Sequence, residues 1–90
     1  MAGELRLRVY TPEQELLDEA VDEVIAPGVF GEIGVLPDHA ALVTTLEPGV
    51  LAYRRDATLT RLTIGGGFAE VRDNVVTVLA DSAESAETGH

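Results

Sequence analysis

The sequence predicts an all-β fold, a flattened β-sandwich or barrel of about 8–10 short strands. Three observations point there. Apolar and polar side chains alternate with period two over short stretches, Gly and Pro break the chain at regular intervals, and no window sustains a 3.6-residue apolar stripe. With 90 residues, 46% of them hydrophobic, the chain has room for one core. Residues 1–81 read as that domain, and 82–90, small, polar and acidic, as a disordered tail.

The elements follow in order. Glu4 to Tyr10 alternates cleanly, putting Leu5, Leu7 and Val9 on one face of a half-buried strand that Thr11-Pro12 ends. Pro12 to Asp22 includes Leu16, Leu17 and Val21 without a helical stripe, and reads as a further short strand. Val21 to Ala26 and Glu32 to Leu36 are strands separated by Pro27-Gly28-Val29-Phe30-Gly31, a turn with an apolar tip. Pro37-Asp38-His39 interrupts the chain before a strand over Ala41 to Leu46. Glu47-Pro48-Gly49 has the Pro-Gly order of a type II turn, and a strand over Val50 to Arg55 follows it. Thr58 to Ile64 is rich in β-branched residues and leads into Gly65-Gly66-Gly67, where a bulge or sharp corner is expected. Phe68 to Arg72 and Val75 to Ala80 flank Asp73-Asn74, a two-residue connection of the kind that closes a tight hairpin.

Composition excludes several function classes. Sixteen acidic residues face six Lys+Arg, all of them arginine, for a net charge of −10, so a phosphate backbone is repelled and nucleic acid is a poor partner. Without lysine there is no Schiff-base chemistry and no Walker-type phosphate loop. There is no cysteine, and the serines are Ser82 and Ser85, so nucleophilic catalysis before residue 82 would fall to Thr, Tyr, His or carboxylate groups. No purely apolar run exceeds four residues, as in Ala40 to Val43, far too short for a transmembrane helix or a signal-peptide core.

Candidate sites are correspondingly few. The acidic pairs Asp18-Glu19 and Asp22-Glu23 read as solvated strand faces. His39 and His90 are the only histidines, too few for an oxygenase-type metal site, so neither metal nor cofactor is expected. The triple glycine precedes a strand rather than a helix, which argues against phosphate cradling. Phe30, at a Gly-flanked tip, either folds inward onto the sandwich or meets a partner.

Taken in order, Ile25-Ala26-Pro27-Gly28, Gly31-Glu32-Ile33-Gly34-Val35-Leu36-Pro37-Asp38-His39-Ala40, Leu46-Glu47-Pro48-Gly49-Val50, Gly66-Gly67-Phe68-Ala69-Glu70-Val71 and Val76 to Asp81 form a recognisable series. From residue 4 to about 84 the chain resembles the N-terminal domain of the epsilon subunit family of bacterial F-type ATP synthases, which corresponds to the mitochondrial delta subunit. The resemblance implies a flattened β-sandwich at the foot of the rotor, a non-catalytic subunit without cofactor. Its partners would be the gamma subunit and the polar loops of the c-ring, and it would fix one to the other so that ion-driven rotation is coupled to ATP synthesis. It further implies a place at the cytoplasmic face of the inner (plasma) membrane, peripheral and reached only through the complex. On matching segments, Phe30, Gly31 and Glu32 are expected on the c-ring side, where Glu32 would complement basic loops. His39 and Thr44 are expected on the gamma side.

Two departures from the motif stand out. Asp38 stands where glycine is usual and Ala41 where proline is usual, which predicts a turn of altered shape before His39. Most members continue into a helical hairpin that inhibits hydrolysis, whereas this sequence ends at His90. Two other classes compete with the rotor reading. One is a small enzyme or ligand-binding sandwich, which requires a deep pocket lined by converging carboxylates. The other is a free-standing acidic interaction module, which requires salt-sensitive association with a basic partner.

Overall fold

The computed structural model describes residues 4–89. Eight strands follow in sequence: β1 (Leu5–Tyr10), β2 (Glu15–Val21), β3 (Glu23–Gly28), β4 (Gly31–Val35), β5 (Leu42–Arg55), β6 (Thr58–Arg72), β7 (Val75–Ala80) and β8 (Ala83–Gly89). They pair in the order β2-β1-β7-β6-β5-β3-β4, with β8 also on β6. All neighbours are antiparallel except β1 and β7, where Arg6 lies beside Val75 and Tyr10 beside Leu79.

Two layers arise because β5 and β6 are long and change layer halfway. The first half of β5 pairs with the second half of β6, then β7, β1 and β2. The second half of β5 pairs with the first half of β6, and these carry β3, β4 and β8. The expected type II turn at Glu47-Pro48-Gly49 is therefore absent. The β5–β6 register runs unbroken from Leu42 opposite Val71 to Arg55 opposite Thr58, with Pro48 opposite Gly65. Cross-strand pairing holds the Pro-Gly segment extended and overrides its local preference.

The triple glycine is the corner of this arrangement, as expected, but it lies inside β6 rather than between two strands. Gly66 and Gly67 have φ of 97° and 141°, a region that side chains disfavour. A Cβ on Gly67 would overlap the Leu79 carbonyl oxygen, and one on Gly65 would overlap the Ser82 hydroxyl. The close approach exists because β7 and β8 follow β6 around the same corner. The Asp81 N–H donates to the Gly66 carbonyl at 2.9 Å and the Gly65 N–H to the Ser82 carbonyl at 3.0 Å.

The disordered tail expected over 82–90 is likewise corrected. Ala83–Gly89 forms β8, paired with β6 from Ile64 opposite Ala83 to Leu59 opposite Gly89, with a bulge near Arg61. Its composition offers little to a core, but strand pairing uses backbone groups, and β6 presents an open row of them. His90 lies outside the described residues.

The core sits between the layers. Leu5, Leu7 and Val9 alternate inward along β1 as predicted and meet Val76, Val78 and Val71 from the same layer. Val24, Val35, Leu51 and Ile64 face them from the other. Each fully buried aliphatic side chain contributes about 1.5–3 kcal/mol relative to exposure. The turn at Asp73-Asn74 closes the β6–β7 hairpin as expected, with φ of 52° and 62°, the type I′ pattern. Asp22 secures the other corner. Its Oδ2 accepts the Asp56 N–H at 2.7 Å, and its own N–H donates to the Arg54 carbonyl at 2.8 Å.

Tyr53 is the core residue with a titratable tip. Burial pushes its pKa above the ordinary 10.0, the Glu19 charge adds to this, and a side-chain hydrogen bond with Thr60 acts in the opposite direction. The folded protein thus holds the phenol proton more tightly than the unfolded chain. Stability from neutral Tyr53 is full below pH 10.0 and declines as pH rises through the folded value. Urea midpoints measured across the alkaline range are expected to fall, and Tyr53→Phe is expected to flatten that fall. For the corner, Gly67→Ala is expected to lower stability by about 2–4 kcal/mol, through the overlap with Leu79 and the positive φ. A lower urea midpoint at unchanged m-value checks it.

Candidate interaction surfaces

The β3–β4 hairpin closes on Val29-Phe30, with Gly28 paired to Gly31. Both glycines are required: a Cβ on Gly28 would lie 2.7 Å from the Gly31 carbonyl oxygen, and Gly31 has φ of 129°. The Val29 N–H donates to the Thr45 carbonyl at 3.1 Å, which anchors the tip to β5. Phe30 is 98% exposed, so of the two alternatives open from sequence, the inward one is not adopted. Glu32 is exposed beside it and joins no ion pair among the described residues. Phe30, Gly31 and Glu32 therefore share one projecting tip, an uncovered ring next to an uncompensated carboxylate.

Of the second predicted pair, His39 lies in the turn between β4 and β5 and Thr44 within β5. The His39 N–H donates to the Leu36 carbonyl at 3.2 Å, closing a turn, and His39 Nδ1 lies 2.7 Å from the Ala40 carbonyl oxygen. Asp38 takes φ of 66°, the left-handed region natural to glycine and open to aspartate. Its N–H donates to Asn74 Oδ1 at 2.6 Å, and Asn74 Nδ2 donates to Asp38 Oδ1 at 2.9 Å. The turn thus keeps a glycine-like backbone and gains a side-chain link to the β6–β7 turn. Thr44 is half-buried, donating to the Thr45 carbonyl at 3.3 Å, on the side of β5 shared by Leu42 and Leu46.

A third surface escaped the sequence reading. Val43, Phe68 and Leu79 are exposed apolar residues on the outer face of the first layer. Register brings them together: Phe68 lies opposite Leu79, and Val43 opposite Glu70, which lies opposite Thr77. With Glu70 and Thr77 they line a groove of about 230 Å³, and a second hollow of about 250 Å³ extends it past Tyr10 and Pro12. The signal was available in the strand period. Ala69 and Val71 take the inward phase of β6, which turns Phe68, one of only two phenylalanines, outward.

None of these surfaces resembles a reaction centre. Among the described residues no three His, Cys, Asp or Glu side chains gather as a metal site, and no helix is long and apolar enough to cross a membrane. The arginines mostly meet their own chain's carboxylates. Asp18 takes Arg6 at 2.5 Å and Arg8 at 3.6 Å, and Arg54 lies near Asp22 and Glu23 at 3.5 and 3.7 Å. Such exposed pairs contribute little stability.

Comparison with known proteins supplies the frame for these surfaces. The family described as "ATP synthase, Delta/Epsilon chain, beta-sandwich domain" matches residues 4–86. An ATP synthase epsilon chain of Carboxydothermus hydrogenoformans is 48% identical over 97% of this chain, and one of Desulfitobacterium hafniense is 47% identical over the same share. The chain spans 65% and 66% of those relatives' lengths. Among solved structures, the cryo-EM structure of Euglena gracilis mitochondrial ATP synthase, OSCP/F1/c-ring in rotational state 1, contains a chain that matches with a TM-score of 0.85 at 29% identity. That match covers 91% of this chain and 53% of the other. A chain of the Tetrahymena thermophila mitochondrial ATP synthase central stalk/c-ring shares the fold, with a TM-score of 0.78 at 17% identity over 92% of this chain and 67% of the other.

Proposed function

The chain belongs to the family of ATP synthase delta/epsilon β-sandwich domains, and from that premise we propose that it is a non-catalytic part of the enzyme's rotor. It fixes the gamma subunit to the c-ring, so that ion-driven rotation is coupled to ATP synthesis in other subunits. The observation that carries this reading is the 48% identity to an epsilon chain across 97% of the sequence. The likeness to a chain within an F1/c-ring assembly supports the same partners. In this reading the protein sits at the cytoplasmic face of the plasma membrane, held there through the complex rather than by any contact of its own.

The surfaces divide between the two partners. Phe30, Gly31 and Glu32 meet the polar loops of the c-ring. An exposed ring on a Gly-flanked tip and a free carboxylate suit a small contact whose register is set by charge. His39 and Thr44 lie toward gamma; the groove of Val43, Phe68 and Leu79, on the opposite face of β5 from Thr44, is a separate apolar surface that we also assign to gamma. An exposed apolar groove of this kind loses its cost in water once a partner covers it. The dense core between the layers supplies the stiffness that torque transmission demands.

Binding to cognate gamma and ATP synthesis in reconstituted enzyme test the assignment together. Glu32→Arg is expected to lower proton- or sodium-driven synthesis while leaving gamma affinity unchanged. Phe68→Glu is expected to weaken gamma binding by about tenfold or more, since it places a charge in an apolar contact. If the unaltered chain failed to bind gamma at concentrations on the order of tens of micromolar, the rotor reading would be wrong.

A further inference from the structure

The link between Asp38 and Asn74 joins two turns that lie 36 residues apart in sequence. Both residues adopt left-handed backbone, with φ of 66° and 62°. Asn74 offers an acceptor to the Asp38 N–H at 2.6 Å and a donor to the Asp38 carboxylate at 2.9 Å. A carboxylate that accepts and a neighbouring amide that donates make a reciprocal pair, which only a side chain with both functions can complete. The next residue is His39, whose N–H and ring Nδ1 are both engaged within the same turn. The backbone shape set at Asp38 therefore sets the direction in which His39 leaves the chain.

We propose that Asn74 is a positioning residue for the gamma side: by clasping Asp38 it holds residues 36–41, and with them His39, in the one shape that the partner reads. The proposal rests on the rotor reading above. It accounts for a non-glycine residue in the left-handed region at position 38. Glycine would reach φ of 66° freely but would leave the turn loose, whereas aspartate reaches it with help and is pinned there. Asn74 does two things at once, because the same φ that completes the β6–β7 hairpin aims its amide across at Asp38.

Two readouts separate the clasp from the rotor reading. Amide hydrogen exchange over residues 36–41 reports the turn in the 90-residue chain alone, and calorimetric titration with cognate gamma reports its use. Asn74→Ala removes both bonds. Asn74→Asp removes the donor and sets two carboxylates against each other. Each is expected to speed exchange at residues 36–41 and to weaken gamma binding about tenfold, with exchange in β1 and β7 unchanged. The double variant Asp38→Asn with Asn74→Asp reverses the pair, since the side-chain amide and the backbone N–H of the first turn then both donate to a carboxylate on the second, and it is expected to restore both readouts. The proposal is overturned if exchange speeds up while gamma affinity stays the same, or if the reversed pair fails to restore what Asn74→Asp lost. Failure of the unaltered chain to bind gamma overturns the rotor reading and the proposal with it, whatever the exchange data show.

Discussion

The structure depends on one shared bend. β5, β6 and the β7–β8 connection change direction side by side at Leu46 to Pro48, Gly65 to Gly67 and Ala80 to Ser82. Three strands can turn together only if their backbones stay hydrogen-bonded through the corner, and that forces them close enough to exclude a Cβ at Gly67. The bend turns one continuous ribbon into two layers facing each other. Without it β5 and β6 would extend as a flat hairpin, and Leu51 and Ile64 would have nothing to pack against.

The same bend distributes the surfaces. The β3–β4 tip is tied by Val29 to Thr45, just before the corner of β5. The His39 turn is tied through Asp38 to Asn74, at the far end of the same half of β5–β6–β7. The groove of Val43, Phe68 and Leu79 lies on the outer face of that half. One half of the sandwich thus carries the tip, the turn and the groove, each anchored to its strands.

The legible part of the fold was its alternation. β1 reads inward at Leu5, Leu7 and Val9 from sequence alone, and the Asp73-Asn74 hairpin follows from two residues that tolerate positive φ. β8 was illegible because pairing uses backbone groups that every residue carries, so a small, acidic stretch gave no sign of it. Glu47-Pro48-Gly49 misled for the related reason that a local turn preference is weak beside cross-strand pairing on both sides of it, with one register from Leu42 to Arg55. Among the candidate residues, Phe30, Gly31 and Glu32 are adjacent in sequence and remain together at one tip. The groove stayed hidden because Val43, Phe68 and Leu79 are brought together only by register.

By itself the sequence determined the class of structure, the inward face of β1 and the exclusion of lysine-, cysteine- and phosphate-based chemistry, since these rest on composition and period. The order of its motifs also determined the family. Tertiary structure alone decided that two pairs of expected strands are single bent ones, that the last residues complete a layer, and that Asp38 finds Asn74. The division has one physical cause. Side-chain pattern is written along the chain, whereas backbone hydrogen bonds and contacts between distant segments come into being only when the strands are laid side by side.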